Sequence, residues 1–159
     1  MTTPSGRERS ERGGDAPSGR DWRESPRWLE PVPTEEDREF WEGAGREELR
    51  LQRCETCGRH QHYPRLLCVH CGGADLAWVT ASGCGTVYSY TVIRQNGVPP
   101  FRDRLPFVVA AVDLDEYGAR LLAAMPDVAP DSARIGMRVR AAFRPVGDGL
   151  GFVDFEAAP

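Results

Sequence analysis

Hydrophobic positions are spread unevenly along the chain. Residues 1–33 mix Arg, Glu, Ser, Gly and Pro with almost no aliphatic side chains. Such a composition cannot bury enough apolar surface to offset chain entropy, so a disordered arm is expected. Trp22 and Trp28 break that pattern and read either as anchors for a partner surface or as stray aromatics in a linker. Thr34 then precedes Glu35, Glu36 and Asp37, the arrangement of an N-cap with acidic residues in a first helical turn. A short helix is predicted over 35–44, with Phe40, Trp41 and Ala44 as apolar contacts and Gly43 and Gly45 ending it. Residues 48–53 alternate with period two and predict a strand.

Beyond Trp78 the alternation predicts five more strands. The first covers 85–95, with Tyr88, Tyr90 and Val92 on one face and Val87, Thr91 and Ile93 on the other. The second, 107–114, is nearly all apolar and is expected to be central or covered on both faces. The third covers 119–125. A polar connector with Pro126 and Pro130 follows, long enough for one helical turn near 131–134. The fourth, 137–146, sets Met137, Val139, Ala141 and Phe143 against Arg138, Arg140, Ala142 and Arg144, and Gly147-Asp148-Gly149 turns the chain into the fifth, 150–156. Five strands with a long connector between the third and fourth outline an OB-fold barrel.

Between helix and barrel lie Cys54-Glu55-Thr56-Cys57-Gly58 and Cys68-Val69-His70-Cys71-Gly72, with ten residues between Cys57 and Cys68. Cysteines three positions apart fit a tight turn that aims both sulfurs inward, and Gly58 and Gly72 stand where that turn needs positive φ. Four thiolates suit Zn²⁺ in a closed structural site, with Fe a substitute in vitro. A dithiol redox pair would need a βαβ context that the pattern lacks, and disulfides would need an oxidising compartment. His60 and His62 are expected on a solvated hairpin face and His70 outside its turn, since four thiolates fill the site. The predicted fold is therefore mainly β: an arm over 1–33, helix plus zinc ribbon over 34–78, and an OB-fold domain over 79–159.

Composition narrows the function. No apolar run approaches the ~18 residues of a membrane span, and no apolar signal core opens the chain, so a cytoplasmic protein is expected. All 20 basic residues are Arg, and the formal net charge is −4. Residues 72–159 hold eight arginines against ten carboxylates, a poor balance for neutralising phosphates. That counts against the rival expectation from the barrel, a single-stranded nucleic-acid binder stacking bases on aromatics such as Tyr88 and Tyr90. No nucleophile elbow, phosphate loop or dinucleotide fingerprint is present, and a four-thiolate site has no open position to activate water. Cys84 reads as a small buried residue at a strand start. Arg138, Arg140 and Arg144 read either as phosphate ligands or as the polar face that strand alternation requires. The loop 96–105 carries Phe101, Arg102 and Arg104 and is long for a hairpin, so it is a candidate ligand contact.

One resemblance covers about residues 34–156. It rests on Phe40-Trp41-Glu42-Gly43, on 48–53 leading into Cys54, and on Tyr63-Pro64-Arg65 ahead of Cys68. It continues through Trp78, Ser82-Gly83, the run Gly85 to Val92, and Ile135-Gly136-Met137. In these the chain resembles small proteins with a rubredoxin-like zinc ribbon fused to an OB-fold, which accompany thiolase-superfamily enzymes in acyl-CoA metabolism. Arg94 stands where the pattern has histidine, and some relatives follow a hot-dog hydratase domain, so the arm reads also as an interdomain linker. The resemblance implies a non-catalytic accessory subunit docked on a thiolase, a synthase or a thiolase-like retro-aldolase, including those of steroid side-chain breakdown. It would help form the partner's acyl-CoA site. Arg65 then joins Phe101, Arg102 and Arg104 as candidate ligand contacts, and Phe40, Trp41, Tyr88 and Tyr90 are candidate partner contacts.

Overall fold

A computed structural model describes residues 30–95 and 101–159. Trp22 and Trp28, and the start of the loop at 96–100, lie outside the described residues. One short helix, α1 (Arg38–Gly45), precedes a three-stranded sheet of β1 (Arg50–Cys54), β2 (His60–Gln61) and β3 (Leu76–Thr80), ordered β2-β1-β3. Five antiparallel strands follow: β4 (Cys84–Ile93), β5 (Phe107–Leu114), β6 (Arg120–Met125), β7 (Arg138–Pro145) and β8 (Gly151–Ala157). Their order is β6-β5-β4-β7-β8, and the two edge strands approach each other to close the barrel. The mainly β architecture of helix, ribbon and five-stranded OB-fold is the expected one, and the five barrel strands fall on the five predicted segments.

The helix starts later than predicted because Thr34 does not cap it. The Asp37 carboxylate instead accepts both the backbone N–H and the hydroxyl of Thr34, at 2.7 and 3.0 Å, so residues 34–37 form a turn and helix begins at Arg38. The glycines assigned to helix termination serve close approach. A Cβ on Gly43 would collide with Arg50, and one on Gly45 with the carbonyl of Gly149. A Cβ on Gly151 would in turn meet the Ala44 carbonyl, so the helix lies backbone-close to the β7–β8 hairpin. That approach buries Phe40 to 3% exposure. Burying such a side chain contributes roughly 1.5–3 kcal/mol.

β4 corrects the predicted facing. Its register with β5 shifts between Val87 and Ser89, so Tyr88 is a bulge residue. Val87 pairs with Val112, and beyond the bulge Tyr90 pairs with Ala110 and Val92 with Val108. Val87, Tyr90 and Val92 therefore share the inner face, while Tyr88 lies outside under the Arg120 guanidinium, 3.5 Å from its ring centre. β5 is central as expected, with Val108, Ala110, Val112 and Leu114 buried, but its other face is only half-covered. The connector at 130–132 is a turn, not a helical one. Strand β3 was not predicted. It pairs with β1 along its whole length and passes the chain to the barrel through Ala81, whose N–H donates to the Leu49 carbonyl. Leu49 and Leu51 of the ribbon side pack in the same core as Val87, Val139 and Phe155 of the barrel.

Candidate functional site

Cys54 ends β1 and Cys57 follows it in a turn closed by the Gly58 N–H on the Cys54 carbonyl, at 2.8 Å. Cys68 and Cys71 repeat that turn, with the Gly72 N–H on the Cys68 carbonyl at 2.9 Å. Both glycines take positive φ, 71° and 76°, as expected. The four sulfurs lie within 4.8 Å of one another, with 3.6 Å between Cys54 and Cys71 and 3.7 Å between Cys57 and Cys68. A tetrahedron with metal–sulfur bonds of about 2.3 Å has edges of about 3.8 Å, so the cage fits one such ion. Electrostatics point the same way. Backbone N–H groups, that of Cys57 foremost, pull the Cys54 thiol down to about 6. At Cys71 the Gly73 N–H also favours the thiolate, but the crowded sulfurs of Cys54, Cys57 and Cys68 push that thiol up to about 12. A divalent cation relieves that repulsion.

The loop between the cysteine pairs is splinted from inside. Gln52 and Gln61 are buried at 6% and 2% exposure. Gln61 donates to the Gln52 side-chain oxygen at 2.7 Å, the Arg65 N–H donates to the same oxygen at 2.8 Å, and the Val69 N–H donates to Gln61 at 2.9 Å. Outside, Tyr63, Leu66, Leu67 and Val69 are exposed. His70 is also exposed, as expected. His62 is not on a solvated face. Its ring packs at 4.7 Å from Phe40 and 4.2 Å from Tyr63, and burial, aided by Arg65, pulls its pKa down to about 4. The ribbon meets the barrel at the β5–β6 turn, where Arg59 donates to the Tyr117 hydroxyl at 2.9 Å and the His60 N–H to the Tyr117 carbonyl at 2.9 Å.

The ligand candidates separate in space. Phe101 and Arg104 sit on a 3-10 turn, Phe101–Arg104, and line a cleft of about 180 Å³ together with Phe107, Pro126, Arg144 and Asp154. Phe101 stacks on Phe107 with ring centres 6.3 Å apart. Arg102 is exposed beside this cleft without lining it, and Arg65 lines a different depression with Thr34, Glu36 and Tyr63. No motif singles out Asp154, yet it is 4% exposed and accepts from Arg144 at 3.1 Å, with Arg144 also lying 4.5 Å over the Phe152 ring. Burial pushes the Asp154 carboxyl up against the pull of Arg144. Asp154 alternates with the core residues Val153 and Phe155 and shares the face of Phe152 and Glu156, a position that strand alternation alone reads as exposed. The other β7 arginines hold carboxylates too: Arg138 pairs with Asp115 and Arg140 with Glu156.

Of the partner candidates, Phe40 packs in the core as an apolar contact of the helix and offers no surface, which corrects its place among the candidate partner contacts. Trp41 is half-buried, edge-on to Phe152 at 5.9 Å, with its indole N–H on Asp37 at 3.0 Å. Tyr88 and Tyr90 keep 54% and 36% exposure on opposite faces of β4.

Two family sequence models match this chain: "ChsH2, rubredoxin-like zinc ribbon domain" over residues 41–77 and "ChsH2, C-terminal OB-fold domain" over 78–144. Among solved structures it resembles the chain described as "Ltp2-ChsH2(DUF35) aldolase", at 35% identity and a TM-score of 0.71, covering 82% of this chain and all of that one. The chain belongs to the ChsH2 (DUF35) family. Among curated relatives it is 42% identical over 118 residues to the probable enoyl-CoA hydratase alpha subunit of Thermomonospora curvata, a match that covers 73% of this chain but only 36% of that protein. It is 38% identical over 95 residues to a DUF35 domain-containing scaffold protein of Methanothermobacter thermautotrophicus, covering 59% of this chain and 70% of that one. In ChsH2 terms the cysteine cage is the ribbon's metal site. Among the described residues no helix is long and apolar enough to cross a membrane.

Proposed function

We propose that the chain is a non-catalytic accessory subunit. It scaffolds a thiolase-superfamily enzyme, a thiolase or thiolase-like retro-aldolase such as those of steroid side-chain breakdown, and helps form the acyl-CoA site. The observation that carries this reading is the match to the whole ChsH2 chain described with the Ltp2 aldolase, joined to a relative named as a scaffold. The resident ion is zinc, with iron a substitute in vitro, held by Cys54, Cys57, Cys68 and Cys71. Its part is structural: four thiolates fill the coordination shell, so the ribbon presents a rigid surface rather than a reaction centre. Four cysteines given to a metal rather than to disulfides support a reducing compartment, the cytoplasm. The splinted loop offers Tyr63, Leu66 and Leu67 to a partner, and Phe101 with Arg102 and Arg104 stands beside the cleft that would face CoA. A nucleic-acid role has no support from the relatives, and the strand arginines are held by carboxylates.

The test is co-expression with a thiolase-like enzyme encoded nearby, purification through a tag on one partner, and an acyl-CoA turnover assay. A stable complex is expected, with a partner that is poorly soluble or inactive alone. Changing Phe101→Ala, or Arg102 and Arg104 together to Ala, should raise the Michaelis constant without dissolving the complex. A partner equally active alone, with no complex formed, defeats the accessory reading. Unchanged kinetics in the loop variants would remove the loop from the CoA site and leave the scaffold intact.

A further inference from the structure

The cleft at Phe101 continues beyond Asp154. A second hollow of about 240 Å³ lies where α1, the ribbon and the β6–β8 seam meet, and it shares Ala124 and Asp154 with the first. The two are one groove along the seam. β6 and β8 are the edge strands of the sheet, and among the described residues no ladder joins them. Along β6 the groove runs from Leu121 to Pro126, about 17 Å of extended chain. Phe101, Pro106 and Phe107 wall one end beside Arg104, and Phe40, Trp41, Tyr63 and Phe152 wall the other beside His62. Either hollow alone falls below the about 300 Å³ at which small-molecule sites begin, and the joined groove does not.

The waist of this groove is charged. The Arg144 and Asp154 side chains are 12% and 6% exposed and meet at 3.1 Å. Such a buried pair is a poor device for stability, because the cost of desolvating both charges offsets most of their attraction. A seam that needed only closing would be served as well by apolar residues of similar volume. The pair instead makes a demand on whatever crosses it. A plain alkyl chain would strip away water and return nothing. A cation would compete with Arg144, and an anion would be repelled by Asp154. A hydroxyl can donate to the carboxylate without disturbing the ion pair, since a carboxylate accepts at about four lone-pair sites.

We propose that the seam groove holds the acyl chain of a hydroxylated acyl thioester, with the hydroxyl donated to Asp154 and the far end of the chain between Trp41, Tyr63 and Phe152. The thioester class rests on the accessory-subunit reading, and the demand for a neutral donor rests on the geometry. Arg104 then marks the end that faces CoA. This chain carries no catalytic set, so the reacting carbons lie in the partner and the hydroxyl met at the waist is a remote one. Asp154 is thereby a specificity residue, and Arg144 positions its carboxylate.

This chain alone forms the groove, so the full metal-loaded protein is titrated calorimetrically. The probes are CoA, decanoyl-CoA and the isomers of hydroxydecanoyl-CoA whose hydroxyl lies beyond the β-carbon. At least one isomer should bind about tenfold or more tightly than decanoyl-CoA, the effect of one hydrogen bond to a charged group. Asp154→Leu combined with Arg144→Met replaces the pair by apolar side chains and should erase that difference while keeping the fold. Ala124→Phe, at a half-buried position shared by both hollows, should reduce every acyl-CoA to the affinity of CoA itself. Urea midpoints and metal content check folding, and if one variant does not fold the other decides. A hydroxyl preference that survives the double change, acyl-CoA binding untouched by Ala124→Phe, or acyl-CoAs that bind wild type no more tightly than CoA overturns the proposal, whatever co-expression shows. A protein with the preference that forms no complex keeps the groove and removes the accessory reading.

Discussion

The barrel and the ribbon loop are built inside out relative to each other. Along β5 and β7 the inward positions are Val108, Ala110, Val112 and Val139, all buried, while Arg138, Arg140 and Asp113 face water in ion pairs. Around the cysteine pairs the buried polar side chains are Gln52 and Gln61, and Tyr63, Leu66, Leu67 and Val69 are exposed. A short loop cannot form a core large enough to hold itself, so a metal cage at one end and satisfied amide hydrogen bonds within take over that task. With the apolar residues released from packing, the loop can present them rigidly, a surface unlike the barrel's screened ion pairs.

The comparison breaks most visibly if the metal is removed. Structural zinc carries about 10–16 kcal/mol of apparent binding free energy in small ribbons and fingers. Cys68→Ser should therefore lose stoichiometric metal and order in β1–β3. Because Leu49 and Leu51 pack in the barrel's core, the barrel should lose stability as well. Elemental analysis with hydrogen exchange followed separately in β1–β3 and β5 checks both parts. A metal-free variant with unchanged exchange everywhere would show that the cage is dispensable, and a loss confined to the ribbon would show that the two regions fold independently.

What the sequence disclosed follows the same division. The cage was legible because its four ligands sit in two local repeats, and the barrel strands because alternation is a local signal. The clefts were not, since Phe101, Arg144 and Asp154 come together from three separate segments. Tyr88 was misplaced because a bulge adds one residue and flips every later facing, and periodicity carries no mark of it. His62 was misjudged for a related reason: it looks like a surface residue of its own short element until Phe40 of the helix covers it. The helix glycines reveal nothing until Gly149 and Gly151 are brought opposite them.

His62 offers a sharper test, since it is a titratable group held where ribbon meets barrel. Its pKa falls from 6.5 to about 4 on burial, so between those values the unfolded chain binds a proton that the folded one does not. Stability should therefore be full above about pH 6.5 and fall as the pH drops towards 4, by up to about 3 kcal/mol from this group. Thiolate protonation weakens the metal site over an overlapping range, so the informative quantity is the difference between wild type and His62→Gln. That difference in urea midpoints should shrink as the pH falls from 6.5 to 4. Parallel profiles for the two proteins would mean that His62 is solvated after all.

The smallest expected effect tests the polar splint itself. Gln61→Leu keeps roughly the same volume and adds apolar surface at a position only 2% exposed, so a loop held by burial would tolerate it or gain. A loop held by hydrogen bonds would not. The change removes the acceptor of the Val69 N–H and one of the two donors to the Gln52 oxygen, which keeps the Arg65 N–H, at a cost of about 1–3 kcal/mol for the stranded N–H. Metal affinity should fall only modestly, because all four thiolates remain, while amide exchange at Val69 should accelerate. The double change Gln52→Leu with Gln61→Leu sharpens the point. It removes donor and acceptor of the central pair together, yet still strands the N–H groups of Arg65 and Val69, so it should not recover wild-type stability. If either variant is as stable as wild type, with Val69 exchange unchanged, the ribbon loop is held by packing like the barrel and the contrast between the two regions is wrong.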